Sequence, residues 1–298
     1  MIPLGLIVLF KDAPHHLSKL TAEDDSQAFL FGVMGKPLVL YNIAKLASRK
    51  SIDCVLLPEG FTHMASVISA SYPSLRIDEY KDRALIPTTN ELFELQFNSI
   101  IVESEMGGIV VDQIVYPWDL LRIMNKVLVS EVRTTSISPN ATICESSIVS
   151  GPCMIEDGAF IDDFCKIKGP IYIGRNSRVG TGSLLRSCMV GSGSSIGFNC
   201  EVARSYLAGK NNLGHHNVIL DSIIGESTWM GGYVGTTNVL LNGKNVKYKA
   251  GDKLVDTGLQ NFGAVIGDGC KIGAGVIILP GRYIPSNSTI QAGTLVSN

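Results

Sequence analysis

The feature that most constrains the fold is an aliphatic residue that returns at every sixth position from Ile137 to Leu185. A helix repeats about every 3.6 residues and a half-buried strand every second residue, so neither requires this period. A fixed six-residue period predicts a solenoid whose coils pack on one another. The two runs are Ile137, Ile143, Val149, Ile155, Ile161, Ile167, Ile173, Val179 and Leu185, then Ile266, Ile272, Ile278, Ile284, Ile290 and Val296.

The fourth residue after each aliphatic is mostly small, as in Ala141, Ser147, Cys153 and Ala159. A small side chain there lets the wall of a coil bend at a corner. The two periodic positions together resemble the hexapeptide-repeat family over roughly residues 134–298. That resemblance implies an all-β, left-handed parallel β-helix, although parallel crossovers are otherwise right-handed.

Length and charge restrict the function classes. The 298 residues favour two domains, and the net charge of -2 without a run of five basic residues lacks the electrostatic footprint of a nucleic-acid binder. No apolar stretch reaches the length of about 18 residues that spans a bilayer, so no membrane association is expected. The apolar segment from Met1 to Phe10 has no basic leader and is predicted to be a buried strand.

The seven cysteines form no Cys-x-x-Cys pair, and their number is odd. Cys153, Cys165, Cys200 and Cys270 each lie four residues after a repeat aliphatic, in the small corner position. We interpret them as free, buried, small apolar residues. This favours the cytoplasm and no bound metal.

Residues 1–128 lack the six-residue period and are predicted to form an α/β domain. Alternating strands and helices favour a parallel sheet covered by helices. Residues 129–136 are polar and are predicted to be a linker to the solenoid domain, 137–298. The predicted strands are 4–10, 51–57, 99–102 and 108–115, and the predicted helices are 37–48 and 61–70.

The segments Gly35 to Ala44 and Tyr116 to Arg122 resemble the Rossmann-like sugar-phosphate nucleotidyltransferase domain, which many bacterial and archaeal proteins fuse to a hexapeptide solenoid. In that family a glycine- and arginine-rich loop binds the nucleotide phosphates. The corresponding segment, Lys11 to Thr21, has no glycine and contains Asp12 and Pro14. The domain is also truncated relative to the family, so we expect that nucleotidyl transfer has been lost. The pair His15–His16 is interpreted as part of a solvated loop rather than a metal site.

After Leu185 the period shifts by one residue, and between Gly231 and Gly263 it disappears. We interpret residues 236–264 as a polar loop that leaves the solenoid, and such loops often carry function. Its lysines indicate a loop that is exposed to solvent rather than a binding site. Alternatively, one of them could bind phosphate in place of the basic residues that the family uses. The lysines are Lys244, Lys247, Lys249 and Lys253.

Three segments in the shifted coils resemble the acetyltransferase domain of the bifunctional N-acetylglucosamine-1-phosphate uridyltransferase and glucosamine-1-phosphate acetyltransferase family. They are 197–205, 211–222 and 231–238. The resemblance implies that His215 is the catalytic base, and that Ala274 and Ala292 lie along bound acetyl-CoA. It also implies a set of substrate-binding residues: Asn238, Glu201, Arg204, Asp221 and Tyr233.

The chemistry suits a histidine. An amine must lose a proton to attack a thioester carbonyl, and an imidazole that titrates near neutrality can take that proton. Backbone amides at coil corners can polarise the thioester oxygen. His215 could instead be a polar surface residue, and for His216 that interpretation is preferred.

The chain departs from the family where phosphate is bound. The family lysine falls on Ala203, the tyrosine three residues after the base falls on Val218, and Leu220 replaces a glycine. The family also has a lysine or arginine before the last repeats, and this chain has Gln260–Asn261 at that place. The expected base is present, but most of the expected phosphate ligands are replaced.

Two hypotheses follow. The first is a homotrimeric, metal-independent, acetyl-CoA-dependent N-acetyltransferase in nucleotide-sugar biosynthesis, acting on an amino-sugar phosphate similar to glucosamine-1-phosphate. The second is a non-catalytic scaffold or regulatory paralogue that associates with an active relative. The acceptor sugar is left open by the sequence.

The N-terminal domain is predicted not to form a nucleotide sugar from a nucleoside triphosphate, a sugar phosphate and Mg²⁺, because Asp12 and Pro14 stand in the phosphate loop. The measurement is release of pyrophosphate, with boiled protein as the control. Metal-dependent release above that control contradicts the prediction.

Overall fold

The computed structural model describes residues 6–11, 32–82, 92–96, 99–104 and 108–297. Among these, residues up to Ile114 form one compact unit, and those from Val115 onward form a second. The sequence-based boundary was residue 128. The difference is the helix Pro117–Glu131, which belongs to the unit that contains the solenoid.

The first unit contains a parallel four-stranded sheet in the order β5-β4-β1-β6, with helices between its strands. This confirms the predicted α/β class. Its elements are β1 Leu6–Lys11, β2 Gly32–Val33, β3 Lys36–Pro37, α1 Leu38–Ala47, β4 Ile52–Pro58, α2 Thr62–Ser71, β5 Arg76–Tyr80 and β6 Leu92–Gln96. The loop that the nucleotidyltransferase comparison depends on, Asp12 to Thr21, lies outside the described residues.

The last two strands of this unit, β7 Ser99–Glu103 and β8 Ile109–Gln113, pair with each other in antiparallel fashion. They do not extend the parallel sheet. The buried Asn42 of α1 donates from Nδ2 to the Ser99 carbonyl at 2.7 Å and accepts from the Ile101 amide at 2.9 Å. One amide side chain therefore pairs with backbone groups of β7 as a neighbouring strand would.

The second unit contains the predicted left-handed parallel β-helix, whose three faces are eight-stranded parallel sheets. Sheet A comprises β9 Ser136–Ile137, β12 Cys153–Ile155, β15 Ile171–Ile173, β18 Met189–Val190, β21 Tyr206–Leu207, β24 Ile223–Ile224, β29 Val265–Ile266 and β32 Tyr283–Ile284. Sheet B comprises β10 Thr142–Ile143, β13 Phe160–Ile161, β16 Arg178–Val179, β19 Ser195–Ile196, β22 Asn212–Leu213, β25 Trp229–Met230, β30 Lys271–Ile272 and β33 Thr289–Ile290. Sheet C comprises β11 Ile148–Ser150, β14 Lys166–Lys168, β17 Leu184–Arg186, β20 Glu201–Ala203, β23 Val218–Leu220, β26 Gly235–Thr236, β31 Ile277–Ile278 and β34 Leu295–Val296.

The repeat aliphatics form one continuous core along the axis of the solenoid, as the period predicts. The four cysteines expected at corners are free and buried among them. Burial disfavours a thiolate, and it raises the pKa of the neighbouring Cys188 thiol to about 12.

The shift in the period after Leu185 has a local cause. The register pairs Ile173 with Val190, Val190 with Leu207 and Leu207 with Ile224, so successive coils here contain 17 residues. The shortened segment is the corner between sheets C and A. It is closed by three residues with positive φ, a conformation that costs energy for non-glycine residues: Ser187 (48°), Arg204 (48°) and Asp221 (45°).

Helix α3, Pro117–Glu131, packs on β21 and β24 of sheet A. Its first turn has Pro117 at the N-terminal position and a capping box in which the Asp119 carboxylate accepts from the Tyr116 amide at 2.9 Å. The helix covers the outward side chains of these two strands. Tyr206 and Ile223 are therefore buried.

The segment predicted as a solvated loop is partly buried. It contains an antiparallel hairpin, β27 Lys247–Ala250 and β28 Lys253–Asp256, and its four lysines are exposed. However, Tyr248 and Phe262 are fully buried, with ring centroids 5.4 and 6.1 Å from Trp118 of α3. The polar composition of the segment concealed these isolated aromatic anchors.

Among the described helices, none combines the length and apolarity needed to cross a bilayer.

Replacing Trp118 by alanine is predicted to destabilise the solenoid unit by about 3–5 kcal/mol, since a large buried ring is lost and a cavity remains. Trp118 is 8% exposed, whereas Trp229 on sheet B is 47% exposed and is the matched control. The measurement is chemical denaturation followed by far-UV circular dichroism. Equal losses in Trp118→Ala and Trp229→Ala contradict the role assigned to the aromatic cluster.

Candidate functional site

The corner between sheets B and C carries the predicted histidines, and we call it the histidine corner. Its successive turns are Phe198–Asn199, His215–His216, Gly232–Tyr233, Ala274–Gly275 and Ala292–Gly293. Each turn donates an amide to the turn before it, as from Tyr233 to the His215 carbonyl at 2.8 Å. The stacking is tight, because a Cβ on Gly214 would lie 2.8 Å from the carbonyl carbon of Gly231. The corner therefore requires glycine immediately before the histidines.

His215 is exposed at this corner. Its Nδ1 accepts the Phe198 amide at 3.4 Å, a long and weak hydrogen bond. In the neutral ring this arrangement leaves the proton on Nε2, so Nδ1 is the basic nitrogen. An exposed ring can rotate away from the amide, which frees Nδ1 to take a proton.

His216 has a positive φ of 57° and is held between two rings. It stacks on Tyr233 with centroids 4.8 Å apart and meets Phe198 edge-on at 5.2 Å. Its Nδ1 lies 3.4 Å from Nδ2 of Asn199. His216 is therefore more constrained than His215.

A cleft of about 390 Å³ runs across sheet C from this corner. Its floor is opened by Gly235, where an added Cβ would lie 3.2 Å from Cδ1 of Ile277. The lining residues include no acidic residue, lysine or arginine. They are His216, Val218, Leu220, Tyr233, Val234, Gly235, Thr236, Thr237, Asn238, Val239 and Ile277.

The far end of the cleft is held by the shortened corner between sheets C and A. Arg204 donates from Nε and Nη2 to the two carboxylate oxygens of Asp221 at 2.6 and 2.7 Å. Nδ2 of Asn238 donates to Asp221 at 2.6 Å. The hydrogen-bonded Asp221 carboxylate raises the pKa of Arg204. These bonds fix the orientation of the Asn238 amide at the edge of the cleft.

Glu201 is bound by Arg186, a residue to which the resemblance assigns no role. Arg186 donates from Nε and Nη2 to one Glu201 oxygen at 3.1 and 2.7 Å. Neither residue lines the cleft. The register of β17 and β20 places them on adjacent strands of sheet C, which only the shifted repeat could have indicated.

The predicted site residues thus fall into three groups. Asn238 and Tyr233 line the cleft, and His215, Ala274 and Ala292 lie on the histidine corner. Arg204, Asp221 and Glu201 are engaged in ion pairs beside the cleft. His216, to which the resemblance assigns no role, also lines the cleft.

One group among the described residues could offer metal ligands: Cys144, Asp162 and Asp163 lie on early coils, with ligand atoms within 4.8 Å of one another. None of them lines the cleft. Asp162 already accepts from Thr181 at 2.9 Å, and Asp163 accepts from Ser146 at 2.6 Å. These carboxylates serve corner hydrogen bonds.

Comparison with solved structures returns proteins of low similarity. Arabidopsis UDP-N-acetylglucosamine acyltransferase is 12% identical over 55% of this chain and 68% of its own, with a TM-score of 0.28. The acetyltransferase domain of PglB from Neisseria gonorrhoeae is 13% identical over 80% of this chain and 95% of its own, with a TM-score of 0.24. Scores this low support no inference about the site.

Sequence comparison is more informative. The bacterial transferase hexapeptide (six repeats) family matches residues 152–187 and 263–298. The uncharacterized acetyltransferase YaiX of Escherichia coli is 26% identical over 48% of this chain and 69% of its own. The bifunctional protein GlmU of Methanococcus maripaludis is 30% identical over 90% of this chain but only 64% of its own, and that of Methanocaldococcus jannaschii is 29% identical over 60% and 43%. The chain thus carries repeats that match the bacterial transferase hexapeptide family, and it is similar to GlmU proteins over up to 90% of its length.

Proposed function

We propose that the chain is an acetyl-CoA-dependent N-acetyltransferase acting on an amino-sugar phosphate in nucleotide-sugar biosynthesis. The observation that carries this proposal is the cleft on sheet C, which begins at the histidine corner and ends at Asn238. Relatives named acetyltransferase and GlmU support it. The chain spans less than two thirds of the length of the GlmU relatives, so their activities are carried over only as proposals.

In the proposed reaction His215 is the base. Its ring turns from the Phe198 amide and accepts the proton that the neutral amine nitrogen loses as this nitrogen bonds to the thioester carbonyl carbon. The carbon–sulfur bond breaks, and the departing thiolate takes the proton from the imidazolium. Amide and free coenzyme are the products.

Asn238 holds the acceptor in this proposal. Asp221 already accepts one Nδ2 hydrogen bond, so the amide oxygen and the second N–H are available to hydroxyl groups of a ligand. Arg204 acts through Asp221 as a positioning residue. This differs from the direct substrate contact that the resemblance implied for Arg204 and Asp221.

Acetyl-CoA is proposed to lie along the later turns of the histidine corner. Gly275 donates to the Gly232 carbonyl and Gly293 to the Ala274 carbonyl, so Ala274 and Ala292 follow His215 in the same stack. Because these side chains are only methyl groups, the later turns of the histidine corner are unobstructed. The narrow pantetheine arm of the coenzyme can lie along such a surface.

A non-catalytic scaffold or regulatory paralogue is the second candidate. It is favoured by the lining of the cleft, which contains no lysine or arginine, and by the pairing of the neighbouring Arg204 and Arg186 with carboxylates. A thermal shift assay separates the two functions. A binder of acetyl-CoA gains stability as RT ln(1 + [L]/Kd), whereas a scaffold shows no shift.

His215→Ala is predicted to lower kcat by roughly 10²- to 10⁴-fold, the usual contribution of a positioned general base, and to leave acetyl-CoA binding unchanged. The measurement is steady-state acetyl transfer to amino-sugar phosphates. His216→Ala is the neighbouring comparison and should cost less, because its ring shapes the cleft rather than moving a proton. A larger kcat loss in His216→Ala would assign the base to that ring instead.

The chain is predicted to be a homotrimer, because sheet C exposes apolar side chains beyond the cleft, including Leu295 at 59% exposure. Light scattering at micromolar concentration should give about three times the chain mass of 32.0 kDa. A mass near that of one chain refutes the assembly.

A further inference from the structure

The histidine corner changes character after Tyr233. In the stacked position that Tyr233 occupies, the preceding turns carry Asn199 and His216, and the two following turns carry Gly275 and Gly293. The adjacent stacked position holds Ala274 and Ala292 in those later turns. The side chains of the corner therefore end abruptly at the Tyr233 ring.

The Tyr233 ring has one covered face and one open face. It stacks on His216 at 4.8 Å with an interplanar angle of 20°, and it remains 65% exposed. A Cβ added to Gly275 would meet only backbone atoms of Gly293 at 4.0 Å, so the space beyond the ring is open. A flat group of ring size fits where the next two turns have no side chain.

The Tyr233 ring lies on the coil next to the one that carries the proposed base. The Tyr233 amide bonds to the His215 carbonyl, so the two residues belong to adjacent turns of the histidine corner. The group that stacks on Tyr233 is taken to be the ring of the acceptor, because the amine of the acceptor has to reach His215 in the proposed reaction.

The chemistry of the cleft restricts that acceptor. The floor beside Tyr233 is Val218, Gly235 and Ile277, and the hydrogen-bonding groups Thr237 and Asn238 stand at the far side. A phosphate in contact with this floor would lose its hydration and gain no cation. A sugar hydroxyl on the floor would likewise have no partner, whereas a methyl group would be buried favourably.

We propose that Tyr233 is a specificity-determining platform on which the apolar face of a pyranose ring stacks, and that the cleft selects an amino sugar with a deoxygenated, methyl-bearing edge. Any phosphate of the acceptor points out of the cleft. This inference rests on the proposed acetyl transfer and narrows its acceptor class.

The first test removes the ring. Tyr233→Ala should raise KM for the amino sugar roughly tenfold or more, the order expected from a lost stacking contact, with KM for acetyl-CoA unchanged. Tyr233→Phe should keep the wild-type value, because stacking needs the ring and not the hydroxyl. Phe164→Ala is the matched control: Phe164 occupies the same stacked position on an earlier coil, with φ 58° against 61° and 71% exposure, and does not line the cleft.

The second test varies the acceptor. Between two amino sugars that differ only by methyl against hydroxymethyl at the ring edge, kcat/KM should favour the methyl sugar by roughly tenfold. Filling the floor with Gly235→Val should abolish that preference. An equal or reversed preference in the wild type overturns the proposed acceptor class.

Binding measured without acetyl-CoA separates this inference from the proposed function. Calorimetric titration of the deoxygenated amino sugar should show binding that weakens in Tyr233→Ala and not in Phe164→Ala. If the sugar binds in this way but no acetyl transfer occurs, the role of Tyr233 as a platform is supported and the proposed acetyltransferase activity is contradicted. If transfer occurs with an unchanged KM in Tyr233→Ala, or if Tyr233→Ala instead dissociates an oligomer, the platform is refuted.

Discussion

Everything in the second unit depends on the close stacking of one coil on the next. Neighbouring parallel strands lie about 4.8 Å apart, so every position in a coil repeats almost directly above its equivalent. Inward aliphatics become one continuous core, and corner residues become columns. This regular stacking places His215 above Phe198, and Ala274 above Gly232. It also requires glycine at Gly214, where a Cβ would meet the next coil.

The candidate site arises where that regularity is interrupted. Removal of one residue from each of three coils closes the corner between sheets C and A with Arg204 and Asp221 in successive coils, close enough for a two-bond ion pair. Because Asp221 then fixes Asn238, a change in repeat length orients an amide at the edge of the cleft. Loss of a side chain at Gly235 opens the floor, and loss of side chains at Gly275 and Gly293 leaves the Tyr233 ring uncovered. The cleft thus forms where residues or side chains are absent from an otherwise repetitive surface.

Charge pairing changes what the matched motif residues do. Glu201, Arg204 and Asp221 occupy positions that the resemblance assigns to substrate, yet each is bonded to another side chain of this chain. A bidentate arginine–carboxylate pair satisfies both groups and leaves little charge for a ligand. The cleft therefore has apolar and hydrogen-bonding character, and its specificity must come from shape and stacking. Motif positions alone do not reveal whether a charge is free.

The sequence by itself determined the solenoid, its core residues, the free buried cysteines and the α/β class of the first unit, because each follows from a local period or composition. It also placed His215 in the shifted coils, whereas the position of both histidines at a corner between two sheets is visible only in the structure. Only the tertiary structure decided that α3 belongs with the solenoid, because its Trp118 packs on Tyr248 and Phe262, more than a hundred residues away in the chain. It likewise decided that His216 and Tyr233 form a wall of the cleft and that Arg186 pairs with Glu201. Such contacts join side chains from different structural elements, and their distances are set by packing that no local pattern encodes.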